Sequence, residues 1–391
     1  MHAYVLAALV ACSALSAANE DPVTAPLYAV APGLFLPDRA DLGLVRADGT
    51  STVTVFRPAE NTDRYSNGAA LTSFKGRLYA QWQSSAQDED SLDTWVAYSS
   101  SADGARWSAP QVLVSAGTDG AMRSSGGWWT NGTVLIAFVN VWPTGFGSGA
   151  GGHTEYRVST DGEAWSALKP VTGQTGRPVG GVIEQDIHAY DGRLHVAFHL
   201  QPGLIATPHY TDDPLGLTGW TAGTMRHLEH KPPTSRELEP SLFARADGLV
   251  MVFRDQALTY RQLAAESRDR GETWSTPVPT DMPDARAKQS AGNLPDGTAF
   301  LVNCPSGSRE RCPLAVTLSR DGRVFDRSFL LRGAGDLQPL RFPGKYKRPG
   351  FHYPKSFVAG GYLYVICATN KEDVELTRVP LSALTAENGG R

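Results

Sequence analysis

A short motif recurs along this chain and limits its fold more than any other feature. Ser101-Ala102-Asp103-Gly104-Ala105-Arg106-Trp107, Ser159-Thr160-Asp161-Gly162-Glu163-Ala164-Trp165 and Ser267-Arg268-Asp269-Arg270-Gly271-Glu272-Thr273-Trp274 share one design. Ser319-Arg320-Asp321-Gly322-Arg323-Val324-Phe325 repeats it with Phe for Trp, and Thr211-Asp212-Asp213 leading to Gly219-Trp220 is a stretched fifth copy. In each, Ser and Asp side chains can bond turn amides, Gly takes a conformation other residues resist, and the aromatic plugs the space beneath the turn. The copies stand roughly 50 to 60 residues apart, the scale of one propeller blade.

Between the motifs no stretch sustains a 3.6-residue apolar period. Short apolar runs recur instead, among them Val134-Leu135-Ile136-Ala137-Phe138 and Leu249-Val250-Met251-Val252-Phe253, bounded by Gly, Asp and Asn. This is an all-β pattern. Six units of strand, turn and strand run from Phe74 to Trp82, Trp128 to Phe138, Ile187 to Phe198, Leu242 to Phe253, Ala291 to Val302 and Phe357 to Ile366. They predict six blades, with a strand from the Leu27 to Phe56 segment closing the ring. A seventh blade hidden in that segment is the structural alternative. The 40 Gly, 26 Pro and only 19% charged residues fit a turn-rich, well-buried chain. With Lys+Arg 36 against Asp+Glu 40, the net charge of -4 gives no electrostatic reason to expect nucleic acid or an anionic membrane as partner. No composition break divides the chain, so residues 19–391 are predicted to form one domain, a monomer.

The apolar run Ala3 to Ala17 closes on small residues before Asn19-Glu20-Asp21, which reads as a signal peptide over residues 1–18 and as export to the periplasm or beyond. The run is too short to anchor in a bilayer. Leu9-Val10-Ala11-Cys12 offers an alternative, a lipoprotein site with Cys12 lipidated. Of the remaining cysteines, Cys304 and Cys312 flank a polar turn and are expected to form a disulfide, while Cys367 sits in an apolar strand.

The repeated motifs resemble the Asp-boxes, or BNR repeats, of the sialidase superfamily, and that resemblance implies a six-bladed β-propeller of sialidase type. It extends to candidate site residues. Glu239, an apolar strand, the Asp247-Gly248 turn and Arg254 are similar to the segment in which sialidases carry the base that polarises a nucleophilic tyrosine and one arginine of a carboxylate-binding triad. Arg311, with Arg309 as its alternative, stands where another triad arginine is expected. Tyr353, in Gly350-Phe351-His352-Tyr353-Pro354, stands where the family places its nucleophile, flanked by His352 and Arg348 as reserve binding groups. Asp90, with Asp88 next, lies on the loop that holds the family's acid/base aspartate.

One departure is conspicuous. Where sialidases begin blade one with the central arginine of the clamp, this chain reads Asn67-Gly68-Ala69-Ala70-Leu71. Arg64 is three residues away, about 10 Å along a strand and on its other face. The resemblance implies an exported enzyme that attacks an acidic sugar at a glycan chain end: Tyr353 attacks, Glu239 takes its proton, Asp90 acts as acid and base, and Arg254 and Arg311 hold the acid group. Two alternatives stay open. A uronate lyase on the same propeller would use His188 with Arg254, and a carbohydrate-binding propeller would lack catalysis. No metal or organic cofactor is implied, and the histidines His188, His195, His199 and His209 lack the spacing of a zinc site.

Overall fold

Turns at Lys75-Gly76, Asn131-Gly132, Asp191-Gly192, Ala246-Asp247, Asp296-Gly297 and Gly360-Gly361 fold the six expected units into antiparallel hairpins. The computed structural model describes residues 26–117, 120–184 and 186–385. The leader and Cys12 lie outside the described residues.

Each hairpin forms the inner half of a blade, and in blades one to five an Asp-box turn links the third strand to the outermost one. Blade one comprises Tyr65–Phe74, Arg77–Ser85, Trp95–Ser101 and Gln111–Val114. Blade two comprises Met122–Thr130, Leu135–Trp142, His153–Ser159 and Lys169–Pro170. In blade three the inner strand is broken into Gly181–Ile183 and His188–Tyr190, both paired with Arg193–Leu200. Blade four runs Glu237–Arg245, Gly248–Asp255, Arg261–Ser267 and Val278–Pro283. Blade five runs Ser290–Asn293, Ala299–Asn303, Leu314–Ser319 and Arg327–Arg332. Blade six takes Phe351–Ala359, Tyr362–Thr369 and Asp373–Pro380 from the end of the chain and Ser51–Phe56 from its beginning. The N-terminal segment therefore closes the ring and holds no seventh blade. Among the described residues no helix is long and apolar enough to cross a membrane.

The Asp-boxes act as expected. Asp161 Oδ1 accepts from the amides of Glu163 and Ala164, each at 2.8 Å, while Ser159 Oγ accepts from Gly162 N at 2.7 Å. Gly162 is required twice over: its φ is +81°, and a Cβ there would lie 2.0 Å from the Tyr79 hydroxyl of blade one. Each box thus ties its own hairpin, and this one also seats on the preceding blade. In the stretched copy Asp213 plays the part of the aspartate, accepting from Leu215, Leu217 and Thr218 amides.

One feature of the inner strands positions the site. Ladder register breaks between Asn67 and Ala70, between Leu238 and Ser241, and between His352 and Lys355. At the same step of these three bulges stand Gly68, Glu239 and Tyr353, with φ of +60°, +51° and +54°. A bulge re-aims one side chain out of the strand's alternation. Glycine accepts that backbone freely; glutamate and tyrosine hold it at a cost, a condition found where strain serves a site.

The disulfide expectation is corrected. Cys304, Cys312 and Cys367 are free thiols. Asn303 pairs with Ala315, so continuing the ladder sets Cys304 opposite Leu314 and leaves Cys312 two residues past its reach. The Cys304 Sγ instead points to the Phe351 carbonyl at 3.8 Å, in the core between blades five and six.

Candidate active site

The bulges of blades four and six bring Glu239 and Tyr353 to one cavity of about 240 Å³ at the end of the ring where the inner strands begin, and Asp90 reaches it from the blade-one loop. Arg254 lines the same cavity. Its Nη1 donates to Glu239 Oε2 at 2.9 Å, and its guanidinium also interacts with the Tyr353 phenol. The Glu239 bulge is braced from behind: its amide donates to His199 Nε2 at 2.9 Å, and its carbonyl accepts from Gln289 Nε2 at 3.1 Å.

Burial disfavours the charge on Glu239, but Arg254 and Lys288 outweigh it and hold the carboxyl down at about 2. Asp90 goes the other way. Burial, then repulsion by Glu89, push its carboxyl up to about 6 against the pull of Lys371 and Lys345. Two carboxyls facing one cavity are thereby separated into a permanent anion and a group that stays protonated under mildly acidic conditions. Asp88, the alternative to Asp90, is used structurally, accepting from the Lys345 amide at 2.8 Å.

The Tyr353 ring lies among cations. Lys288 Nζ stands 4.8 Å, the Arg311 guanidinium 5.1 Å and Lys371 Nζ 5.6 Å from its centroid. Burial, with Glu239 and Glu89 nearby, raises the phenol pKa overall, although Arg311 and Arg254 pull it toward ionisation. Arg311 is buried and donates from Nη1 to His352 Nδ1 at 2.6 Å; His352 Nε2 donates to the Arg348 carbonyl at 2.9 Å. That network fixes the His352 tautomer, and burial followed by Arg311 holds the imidazole neutral. Arg309, the alternative to Arg311, is exposed and donates to the Tyr260 hydroxyl at 3.2 Å, away from Tyr353. Arg348 is half-buried and close enough to Arg311 and Arg254 for their charges to disfavour its own. Arginines 254, 311 and 348 therefore surround Tyr353.

Asn67 does not act as a clamp. It is fully buried, and its Nδ2 donates to Glu89 Oε1 at 3.2 Å, as does the Tyr65 hydroxyl, also at 3.2 Å. The other Glu89 oxygen pairs with Lys371. The place where an arginine would present positive charge is thus bounded by a carboxylate that a neutral amide, a phenol and a lysine hold still. Glu89, Lys371, Lys288 and Glu184, which pairs with Lys288 at 2.8 Å, have no assignment from sequence. The adjacency of Glu89 to Asp90 was the one available signal; the two lysines show no motif.

Comparison with known proteins now adds to this geometry. The BNR repeat-like domain family matches residues 76–365. The chain belongs to that family. No curated protein matches it by sequence. Among solved structures, a sialidase aligns with a TM-score of 0.67 at 19% identity, over 91% of this chain and 35% of that one. A Trypanosoma rangeli sialidase in complex with sialic acid aligns with a TM-score of 0.60 at 15% identity, over 88% of this chain and 60% of its own. A protein of unknown function from Dyadobacter fermentans aligns with a TM-score of 0.63 at 14% identity, over 85% of this chain and 99% of its own. This chain thus spans about a third of the length of the first sialidase, and at these identities the likeness establishes the sialidase-type propeller.

Within this BNR repeat-like propeller, the expected residues Asn67, Arg311, Arg348 and His188 are not on the lining of the Tyr353 cavity, and neither is Arg64. His188 lines a separate cavity at the opposite mouth of the ring, with Trp129, Asp186, Asn293 and Phe357. The break in the blade-three inner strand causes this: Glu184 stays at the Tyr353 end, while His188 lies beyond the break and bonds Ser241 Oγ at 3.3 Å. Burial lowers the His188 imidazole to about 4. It cannot act with Arg254 on one sugar, so that pairing is withdrawn. Arg64 is likewise turned away. Its guanidinium packs 5.3 Å from the Phe342 centroid, and Nη2 donates to the Glu60 carbonyl.

Proposed function

We propose that the protein is an exo-acting glycoside hydrolase of sialidase type that cleaves an acidic sugar from a glycan, with Tyr353 as nucleophile. The observation that carries this reading is the convergence of Tyr353, Glu239, Arg254 and Asp90 on one cavity, with the two carboxyls driven apart to about 2 and about 6. Arg254 and Arg311 bind the substrate's carboxylate, with Arg348 behind them. A bound carboxylate shares Arg254, which weakens its hold on Glu239 and makes Glu239 a better base toward the Tyr353 proton. The phenol oxygen then attacks the anomeric carbon, the bond to the leaving oxygen breaks, and Asp90 delivers its proton to that oxygen. In the second half Asp90 takes a proton from water, whose oxygen displaces the Tyr353 oxygen from the anomeric carbon, and Glu239 returns its proton to that phenol oxygen. A neutral nucleophile suits a substrate whose own carboxylate would repel a carboxylate. The apolar leader supports an exported enzyme.

The test is a panel of aryl glycosides of acidic sugars, including a sialoside and a glucuronide. Wild-type protein should release free sugar from at least one, and Tyr353→Phe should lose roughly a hundredfold or more of that activity. An unsaturated uronate as product, or full activity in Tyr353→Phe, would remove the hydrolase reading.

A further inference from the structure

A second cavity, of about 580 Å³, adjoins the Tyr353 cavity, and Gln256 lines both. The Gln256 side-chain oxygen accepts from Arg254 Nη2 at 3.1 Å on one side and from Arg286 Nε at 3.0 Å on the other. One neutral amide therefore ties the arginine of the first cavity to an arginine of the second. Arg286 is half-buried, and among the described residues neither it nor nearby Arg309 is ion-paired. Burial, then Arg254 and Arg309, disfavour the Arg286 charge, so positive charge here is uncompensated.

Asp255 and Asp284 are engaged by other groups, and Glu237 keeps one buried oxygen without a hydrogen-bond partner. Asp255 holds Arg236 through both oxygens, at 2.8 and 2.9 Å, and Glu237 takes His227 at 2.5 Å. Asp284 accepts from the Ala287 amide and from Asn303. Glu229 alone remains as an acid lining this cavity. A half-buried guanidinium that faces a cavity without an ion-pair partner is available to an anion from outside. Arg286 uses Nε on Gln256, which leaves its two terminal nitrogens, the pair suited to fork an oxyanion.

We propose that this cavity is an anion subsite that binds a sulfate ester or carboxylate carried by the glycan beyond the sugar seated at Tyr353. This rests on reading the Tyr353 cavity as a glycan site, and it makes the substrate a polyanionic glycan. Arg286 is the principal ligand, and Arg309, off the cavity lining but close enough to act on the Arg286 charge, adds electrostatic attraction.

Binding separates this proposal from catalysis. Full-length Tyr353→Phe protein is titrated calorimetrically with three tetrasaccharides: a sulfated galactan without carboxylates, a hyaluronan fragment with carboxylates alone, and neutral chitotetraose. At least one anionic probe should bind about tenfold or more tighter than the neutral one, and which of the two does so names the anion. Adding Arg286→Gln and Arg309→Gln should remove a preference for the sulfated probe, and should cut a preference for the carboxylate probe severalfold, to what Arg254 at the Tyr353 cavity supplies alone. The exposed single variant Arg309→Gln, which threatens the fold least, should reduce it and flatten the salt dependence. Equal binding of neutral and anionic probes, or an unchanged preference in folded variants, would overturn the subsite. If the preference appears and wild-type protein releases no sugar from any glycan, the hydrolase reading falls and the subsite stands. If wild-type protein cleaves a glycan with no preference for anionic probes, the reverse holds.

Discussion

Asp90 and Glu239 are both carboxyls on one cavity wall, and their surroundings give them opposite duties. The pH profile follows from the signs. In the proposed hydrolysis Asp90 must be protonated to donate, so kcat/KM should fall as pH rises through about 6. Glu239 must be ionised to accept, and in the free enzyme Arg254 and Lys288 keep it so down to about 2. The profile of kcat/KM should therefore show an acidic plateau with its alkaline limb near 6, and Asp90→Asn should abolish that limb while lowering activity most on substrates with poor leaving groups. A limb that persists in Asp90→Asn would transfer the acid role elsewhere. These residues could be picked out as candidates because each sits in a short segment that resembles a sialidase one, Glu239 and Tyr353 at the head of an inner strand and Asp90 on the blade-one loop. Glu89, Lys288 and Lys371 could not. Lys371 meets Glu89 across 282 residues and Lys288 meets Glu184 across 104, so their partners exist only after the ring has closed.

At the scale of elements, the bulge and the Asp-box do separable work. The bulge holds Tyr353 at a φ of +54°, a backbone that costs an L-residue about 1 to 2 kcal/mol. Tyr353→Ala and Tyr353→Gly remove the same ring, so their difference isolates the backbone: the glycine variant should be the more stable by about 1 kcal/mol in urea unfolding. Equal stabilities would mean that the bulge is unstrained. The Asp-box has its main energetic content in its aromatic. Trp274 is 6% exposed, packs in the core of blade four and donates from Nε1 to the Gly271 carbonyl at 3.0 Å. Trp274→Ala should cost about 3 to 5 kcal/mol by the same measurement. The boxes were plain in the sequence because their bonds join residues two to five apart. The Cys304–Cys312 expectation failed for the complementary reason: proximity along the chain says nothing of ladder register, which places the two thiols out of step.

The whole molecule depends on one non-local closure, the pairing of Ser51–Phe56 with Asp373–Pro380 across more than three hundred residues. A chain that begins just after Phe56 would leave Asp373–Pro380 as a bare edge, and it should aggregate in size-exclusion chromatography where the full chain does not. Closure also sets the site, because it brings the blade-six bulge with Tyr353 beside blade one with Glu89 and Asp90. The central claim is that this assembled tyrosine forms a bond to the sugar. It is tested most directly by inactivating the protein with a difluorinated analogue of the sugar it releases, then mapping the adduct by peptide mass spectrometry. The account predicts one sugar unit on the peptide that contains Tyr353, and no adduct in Tyr353→Phe. A label on Glu239, Asp90 or any other residue, or the same label persisting in Tyr353→Phe, would contradict it.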